Sequence, residues 1–224
     1  MRNEAAERKS ILGITGGVGT GKSTVLQYLQ QRWGAVIIEL DRVAAKLQEP
    51  DGVCYQPILD LFSDEAPICL ADGHLDRRKI ADLVFADQGR REQLNAIVWP
   101  AVKETVRNTI RTNEQQAAAQ GAGGPLIVIE AALLLESGYD TICDEIWYVR
   151  AEEQVRRQRL MQSRGYSAQR IDRMLESQQT EAFYRAGSRL VIDNSSDDVE
   201  NTFRQIDKGL MEHGFLQYSQ RQQR

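Results

Sequence analysis

Residues Gly16–Ser23 read GGVGTGKS, an uninterrupted G-x-x-x-x-G-K-S pattern. The short apolar run Ile11–Thr15 precedes this stretch, and Val25, Leu26 and Leu29 recur after it at helical spacing. A strand, a glycine-rich loop and a helix in this order form the context in which such a loop binds phosphates. The pattern therefore predicts a phosphate-binding loop in an α/β fold. A glycine-rich turn without a ligand is the alternative.

Each residue type in this loop has a chemical task. The glycines allow several backbone N–H groups to turn inward, so that they form an anion nest with the helix N-terminus. The Lys22 ammonium can reach the β- and γ-phosphates, the Ser23 hydroxyl can coordinate Mg²⁺, and Thr24 can contact the α-phosphate. We therefore predict that Lys22 is catalytic and that Ser23 is a metal ligand. The predicted nucleotide-binding residues of the loop are Gly17, Val18, Gly19, Thr20, Gly21, Lys22, Ser23 and Thr24.

Four further apolar or β-branched runs are predicted strands, and helical patterns occur between them. These runs are Ala35–Leu40, Leu126–Glu130, Glu145–Arg150 and Leu190–Asp193. Strands separated by helices imply a parallel sheet with helices on both faces. The sequence thus predicts an α/β fold, a P-loop three-layer sandwich with a five-stranded parallel sheet.

Only helical patterns lie between the second and third predicted strands. They fall near residues 53–62, 76–86, 90–96 and 100–116, and the glycine-rich stretch 115–125 is typical of a surface linker. The predicted organisation is a nucleotide-binding core of residues 9–50 and 125–214, a helical insert of residues 51–118, and flexible ends at 1–8 and 217–224.

Composition and charge exclude several classes of protein. The net charge is −4, from 28 Lys and Arg against 32 Asp and Glu, which argues against a nucleic-acid binder. The longest apolar stretch, Leu126–Leu135, contains Glu130 and is too short to span a bilayer. The three cysteines form no C-x-x-C pair and are expected to be reduced thiols. We expect a cytoplasmic protein with no nucleic-acid or membrane partner, either a monomer or a weak homo-oligomer.

Two carboxylates mark the end of the second predicted strand. Asp41 follows this strand directly, and Glu39 lies two residues earlier. Ligands of open α/β sheets bind at the carboxyl ends of strands, where a carboxylate can orient an acceptor hydroxyl and take its proton. Asp41 is therefore the predicted catalytic base. Capping of a helix that begins at Arg42 is an alternative role, and the two roles are compatible.

Seven arginines lie between Arg150 and Arg173, in a helical segment that Gly165 interrupts. A hinge at Gly165 allows this segment, about residues 152–182, to close as a lid over a triphosphate. Its guanidinium groups can then offset charge that develops during phosphoryl transfer. The alternative is a solvated helix face whose arginines pair with neighbouring glutamates.

The chain resembles the dephospho-coenzyme A kinase family over nearly its whole length. The family pattern T-G-G-x-G-[ST]-G-K-S-T is matched by Thr15–Thr24, and its D-x-D pair is similar to Glu39–Asp41, with the first acid changed. The pattern D-G-x-L-D-R is matched by Asp72–Arg77. The pattern L-N-x-I-x-H-P resembles Leu94–Pro100, where Trp99 replaces the histidine.

Three more family patterns follow in the second half of the chain. P-L-L-x-E resembles Ala132–Glu136, Q-x-x-R-L-x-x-R resembles Gln154–Arg164, and I-x-N is matched by Ile192–Asn194. The resemblance implies nucleotide contacts by Arg159, Arg164 and Asn194, the last near adenine, and acceptor contacts by Asp41, Leu75, Asp76, Arg77, Trp99 and Glu136. A core tryptophan is the alternative for Trp99, and a surface helix residue is the alternative for Glu136.

The resemblance also implies a reaction. ATP, with Mg²⁺, phosphorylates the 3′-hydroxyl of dephospho-coenzyme A to give coenzyme A and ADP, the last step of coenzyme A biosynthesis. The acceptor ribose is expected near Asp41, and the helical insert is expected to bind the rest of the acceptor. Two rivals are a P-loop kinase for another small hydroxyl or a nucleoside monophosphate, and a nucleotide-dependent switch. The D-G-x-L-D-R match argues against the first rival, and the lack of D-x-x-G and [NT]-K-x-D argues against the second.

Overall fold

The structure, a computed structural model, describes residues 9–65 and 67–215. Within these ranges the strands are β1 (Ile11–Thr15), β2 (Val36–Glu39), β3 (Ile127–Glu130), β4 (Glu145–Arg150) and β5 (Leu190–Asp193). They form one sheet in the order β2-β3-β1-β4-β5, and β1 pairs in parallel with both β3 and β4. The predicted α/β class and five-stranded parallel sheet are confirmed. The ends predicted to be flexible, 1–8 and 217–224, lie outside the described residues.

The described part of the chain contains nine α-helices. They are α1 (Lys22–Trp33), α2 (Leu40–Leu47), α3 (Tyr55–Leu61), α4 (Arg77–Ala86), α5 (Gln88–Ala119), α6 (Glu153–Arg164), α7 (Ala168–Glu176), α8 (Glu181–Ala186) and α9 (Val199–Glu212). None of the helices in these ranges is both long enough and apolar enough to cross a membrane.

The described residues form two compact units. The first comprises residues up to 38 and from 121 onward, and the second comprises residues 39–120. The first unit holds α1, α6–α9 and nearly all of the sheet, whereas the second holds α2–α5. The second unit therefore includes α2, which the sequence-based boundaries assigned to the core.

In the first unit, α1 and α9 pack together against the sheet. The rings of Tyr28 and Phe203 are stacked with centroids 3.9 Å apart. The Tyr28 hydroxyl and the Trp33 indole N–H each donate a 2.8 Å hydrogen bond to the carboxylate of Asp207. These contacts fix the axis of α1, and with it the position of the loop that precedes this helix.

In the second unit, α5 is one helix, so the predicted break between residues 96 and 100 is wrong. Pro100 lies inside α5 and lacks the N–H that a helix interior normally uses. The buried face of α5 consists of Val98, Val102, Val106 and Ile110. Burial of each such side chain contributes about 1.5–3 kcal/mol, which together exceeds the cost of about 3 kcal/mol for a proline in a helix. This face explains why α2, α3 and α4 all contact α5.

Candidate active site

The glycine-rich loop lies at the carboxyl end of the central strand. β1 lies between β3 and β4, and residues 16–21 connect it to α1. In the strand order β2-β3-β1-β4-β5, the connection that leaves β1 runs to one side of the sheet and the connection that leaves β3 runs to the other side. Open α/β sheets bind ligands in the crevice that such a reversal creates. Gly21 precedes α1 and no side chain caps that helix. The positive end of the helix dipole therefore faces the loop and favours an anion there.

Lys22 and Glu130 form a largely buried ion pair beside this loop. The Lys22 Nζ lies 3.5 Å from a Glu130 carboxylate oxygen and donates a 2.8 Å hydrogen bond to the Gly16 carbonyl. Glu130 is the last residue of β3 and is 9% exposed. Sequence analysis did not assign Glu130 to the site. The signal was present, because a carboxylate at the end of an otherwise apolar buried strand is costly unless it has a partner.

The loop hydroxyls differ in what they do. The buried Thr20 hydroxyl donates a 2.9 Å hydrogen bond to the Gly17 carbonyl, so it stabilises the loop itself. Ser23 is exposed in the first turn of α1. In the described ranges no group of three or more His, Cys, Asp or Glu side chains is arranged to hold a metal ion. The Ser23 hydroxyl and the Glu130 carboxylate are nevertheless oxygen donors of the kind that Mg²⁺ takes alongside nucleotide phosphates.

The predicted lid contacts the loop through Arg156 and Gln178. Arg156 donates from Nε to the Val18 carbonyl, at 2.9 Å, and from Nη2 to the Gln178 side-chain oxygen, at 2.5 Å. The same Gln178 oxygen accepts a 3.3 Å hydrogen bond from the Val18 N–H. A Cβ on Gly17 would lie 2.3 Å from that oxygen, so a side chain at this position would have to displace the Gln178 amide. Burial lowers the pKa of Arg156, but an arginine guanidinium stays protonated in proteins, so this side chain remains charged.

The other lid arginines have different surroundings. Among the described residues, the buried Nη1 of Arg159 has no hydrogen-bond partner, and it lies 3.4 Å from the place a Cβ on Gly21 would occupy. Arg164 is exposed at the end of α6, where its hydrogen bond to Tyr166 lowers the pKa of that phenol. The structure thus brings Arg159 to the loop. The nucleotide contact by Arg164 stays a prediction.

Arg157 fits the alternative interpretation of a solvated helix face. It pairs with Glu153 at 2.8 Å and with Asp172 at 2.6 Å. Glu153 is exposed and Asp172 is partly exposed. Arg156 and Arg157 are neighbours in sequence, yet only Arg156 contacts the loop, because successive residues of a helix point about 100° apart.

Asn194 lies just after β5 and is 4% exposed. Its side-chain nitrogen donates a 2.8 Å hydrogen bond to the Thr20 carbonyl, and its side-chain oxygen accepts a 2.9 Å hydrogen bond from the Thr202 hydroxyl. The predicted contact between Asn194 and adenine stays a prediction. The contact that the structure contains is with the backbone of the loop.

In the second unit, Asp41 lies in the first turn of α2, which begins at Leu40. Glu39 is the residue before the helix, and neither it nor Asp41 caps the helix through a side-chain hydrogen bond. The alternative that Asp41 caps a helix starting at Arg42 is therefore wrong. Glu39 is paired with Arg42 at 3.1 Å, whereas Asp41 is exposed.

The D-G-x-L-D-R stretch stabilises the second unit. Leu75 is buried, and the Asp76 carboxylate caps α4 by accepting a 3.0 Å hydrogen bond from the Lys79 N–H. Arg77 donates a 3.0 Å hydrogen bond to the Ala45 carbonyl near the end of α2. These contacts give Leu75, Asp76 and Arg77 a role in the folding of the second unit. The acceptor contacts of Leu75, Asp76 and Arg77 stay predictions.

Trp99 is 44% exposed, so the alternative of a core tryptophan is wrong. It borders a groove of about 890 Å³ on one face of α5, whose other lining residues include Asn95, Lys103, Arg107 and Arg111. The lining also includes the carboxylates of Glu92 and Glu104, so the groove offers a flat ring for stacking together with charged groups of both signs.

Glu136 is exposed in the turn that follows β3. Burial raises the pKa of Tyr184, and the negative charge of Glu136 adds to this effect. The predicted role of Glu136 in acceptor binding stays a prediction.

A family model described as dephospho-CoA kinase matches residues 10–200, which include the loop, the lid and Asn194. This chain belongs to the dephospho-CoA kinase family. The resemblance that the sequence motifs carried is thereby confirmed. The match spans both compact units, so the helices of residues 39–120 are part of what the family shares.

Two related proteins and one solved structure each match most of the chain. The dephospho-CoA kinase of Geobacter sulfurreducens is 32% identical over 191 residues, 85% of this chain and 92% of that protein. The dephospho-CoA kinase of Moorella thermoacetica is 37% identical over 182 residues, 81% of this chain and 82% of that protein. The crystal structure of TT1252 from Thermus thermophilus has a TM-score of 0.76 at 30% identity, covering 92% of this chain and 98% of that one.

Proposed function

We propose that this protein transfers the γ-phosphoryl group of ATP to the 3′-hydroxyl of dephospho-coenzyme A, giving coenzyme A and ADP. The observation that carries the proposal is the loop of residues 16–23, with Lys22 and the N-terminus of α1, at the carboxyl end of the central strand. Family membership supports the choice of acceptor, because the match extends beyond the loop to residues 10–200.

The loop holds the triphosphate. Backbone N–H groups bind the β-phosphate, and the Lys22 ammonium exchanges its contact with the Gly16 carbonyl for phosphate oxygens. Glu130, at 3.5 Å, pairs with this ammonium and helps to position it. Ser23 and Glu130 are the residues that hold Mg²⁺, and the ion supplies neutralisation of the phosphate charge when it is bound.

The lid arginines act on the same phosphates. Arg156 is fixed over the loop by its bonds to Val18 and Gln178, and the buried Nη1 of Arg159 lies beside Gly21. In phosphoryl transfer, negative charge shifts among the oxygens of the transferred group, and a fixed guanidinium lowers the energy of that state. Arg159 supports the proposal further, since a buried guanidinium nitrogen without a partner in the described part of the chain is suited to an anionic ligand.

Asp41 accepts the proton of the acceptor. As the 3′-oxygen forms its bond to the γ-phosphorus, the bond to the bridging oxygen breaks and ADP leaves with that electron pair. The hydroxyl proton passes to the Asp41 carboxylate. Asp41 is favoured over Glu39 for this role because Glu39 is already paired with Arg42.

The groove on α5 binds the body of the acceptor. Dephospho-coenzyme A carries an adenine ring and a pyrophosphate, and the groove presents the Trp99 indole together with Arg107 and Arg111. Stacking of a base on an aromatic side chain contributes about 1–3 kcal/mol, and arginines pair with phosphates through two parallel hydrogen bonds.

We also propose that the protein works in the cytoplasm. Cys54, Cys69 and Cys143 are free thiols, which fits a reducing compartment.

An acceptor panel tests the proposed function. Purified protein is given ATP and, in turn, dephospho-coenzyme A, nucleoside monophosphates and small sugars, and ADP release is followed; a parallel series replaces ATP with GTP. We expect kcat/KM for dephospho-coenzyme A to exceed that for every other acceptor by about 100-fold or more. Folded protein that turns over another acceptor preferentially, or that binds GTP without any acceptor reaction, would refute the proposal.

A further inference from the structure

The buried amide of Asn194 uses both of its polar atoms inside the protein. The nitrogen donates to the Thr20 carbonyl at 2.8 Å, and the oxygen accepts from the Thr202 hydroxyl at 2.9 Å. Both Asn194 and Thr202 are buried, with exposed fractions of 4% and 0%. The Thr20 carbonyl can only accept a hydrogen bond, so the NH₂ group must be the end of the amide that faces the loop.

This contact determines the direction of a loop N–H. In a trans peptide the C=O of one residue and the N–H of the next point in opposite directions. The Thr20 carbonyl points toward Asn194, so the N–H of Gly21 points away from Asn194.

We propose that Asn194 is a positioning residue for the phosphate loop. Oriented by Thr202, it holds the Thr20–Gly21 peptide so that the Gly21 N–H faces the nucleotide phosphates. The proposal rests on the proposed binding of a nucleotide by this loop. It differs from a contact between Asn194 and the adenine ring, because Asn194 then acts on phosphate binding and not on recognition of the base.

Gly21 shows how closely the amide and the loop fit together. Its φ is +88°, in the left-handed region that disfavours side chains. A Cβ at this position would lie 2.1 Å from the Asn194 side-chain nitrogen. The amide therefore occupies the space that a side chain at residue 21 would need.

Binding of a ligand that has phosphates but no adenine ring distinguishes positioning of the phosphate loop from recognition of adenine. The affinities of inorganic tripolyphosphate and of ATP are measured by calorimetry for the wild type, Asn194→Asp, Thr202→Val and Thr202→Ser. We expect Asn194→Asp to lower the affinity for both ligands by the same factor, about tenfold or more, because a carboxylate cannot donate a hydrogen bond to the Thr20 carbonyl. Thr202→Val adds no charge and should also weaken both ligands equally, whereas Thr202→Ser keeps the hydroxyl and should bind more tightly than Thr202→Val.

A matched control and a kinetic readout complete the experiment. Asn201→Asp makes the same chemical change at an exposed position of α9 and should alter both affinities less than twofold. In Thr202→Val, KM for ATP should rise while KM for the acceptor stays constant, and in Thr202→Ser the rise in KM for ATP should be smaller. Weaker binding of ATP with unchanged binding of tripolyphosphate would assign Asn194 to adenine recognition and overturn the proposal. Unchanged affinity for both ligands would also overturn it.

The outcome is separable from that of the proposed function. If Asn194→Asp does not fold, the Thr202→Val and Thr202→Ser pair decides the question. Tripolyphosphate binding needs no acceptor, so failure of the protein to phosphorylate dephospho-coenzyme A leaves this result intact.

Discussion

The Nε of Arg156 donates a 2.9 Å hydrogen bond to the carbonyl oxygen of Val18. This bond joins the lid helix α6 to the phosphate loop through residues that are 138 positions apart. Gln178 completes the contact by accepting from both partners. The lid and the loop therefore share one hydrogen-bond network, in which the geometry of the guanidinium matters as well as its charge.

Arg156→Lys tests whether that geometry matters for catalysis. Lysine keeps the charge but cannot bond Val18 and Gln178 at once with a planar fork. We expect kcat/KM for ATP to fall about 10- to 100-fold, which corresponds to loss of about one charge-assisted hydrogen bond. Steady-state kinetics with ATP varied measures the change. The control is Arg157→Lys on the same helix, and an equal loss in that variant would mean that the lid acts through its overall charge.

Asp41→Asn removes the proposed base without changing its size. We expect kcat to fall by about 10² to 10⁴ while ATP binding remains as in the wild type. Single-turnover kinetics, together with titration of ATP, separates the two effects. Asp51→Asn, an exposed carboxylate in the same compact unit, serves as the matched control. A nearly normal rate for Asp41→Asn would exclude this residue as the base.

Trp99→Ala probes the groove on α5. Loss of a stacking platform should raise KM for dephospho-coenzyme A by about tenfold and leave KM for ATP unchanged. Phe85→Ala removes another aromatic ring of the same unit, one that is 92% exposed, and should change neither constant. If Trp99→Ala instead altered KM for ATP alone, the groove would not be the acceptor site.

Stability should depend on pH through Glu145, which lies at the start of β4. This carboxylate accepts hydrogen bonds from Lys9 at 2.5 Å, from Trp147 at 3.0 Å and from His213 at 2.8 Å. Burial acts to raise the pKa of Glu145, but these hydrogen bonds outweigh it and hold the pKa below its ordinary value of 4.5. The unfolded chain then binds the proton more readily, so the stabilisation is complete above about pH 4.5 and is lost as the pH falls through the lower, folded value.

Urea unfolding at several pH values checks this effect. The wild type should be more stable than Glu145→Gln at pH 7, and the difference should shrink below about pH 4.5. A difference that does not change between pH 7 and pH 3 would show that protonation of Glu145 does not contribute to acid unfolding.

Features that depend on neighbouring residues were predictable from the sequence. The loop is one example, because strand, glycines, Lys22 and helix follow one another within residues 11–33. Each strand of the sheet was likewise visible as an apolar run. The break predicted between residues 96 and 100 is wrong because the buried face of α5 stabilises the helix on both sides of Pro100, and local propensity does not include that packing.

Features that depend on distant partners were not predictable. The roles of Arg156 and Arg157 differ only through the face of α6 on which each lies, and adjacent arginines give no signal of that difference. Asn194 contacts Thr20 across 174 positions of the chain, so its motif suggested a ligand contact and not a bond to the loop. The sequence shows that Glu130 needs a partner, but it does not show that the partner is Lys22, which is distant along the chain.

Phosphorus NMR of the complete reaction measures how much phosphate ester forms for each ADP released and which oxygen receives the phosphoryl group. Folded protein is incubated with ATP, Mg²⁺ and dephospho-coenzyme A, and the phosphorus signals of ADP and of the new ester are quantified together. We predict one equivalent of a monophosphate ester at the ribose 3′-oxygen for each ADP formed. ADP in excess of ester, or an ester at any other oxygen, would contradict the assignment of this chain as a kinase that presents the 3′-hydroxyl to the phosphate loop.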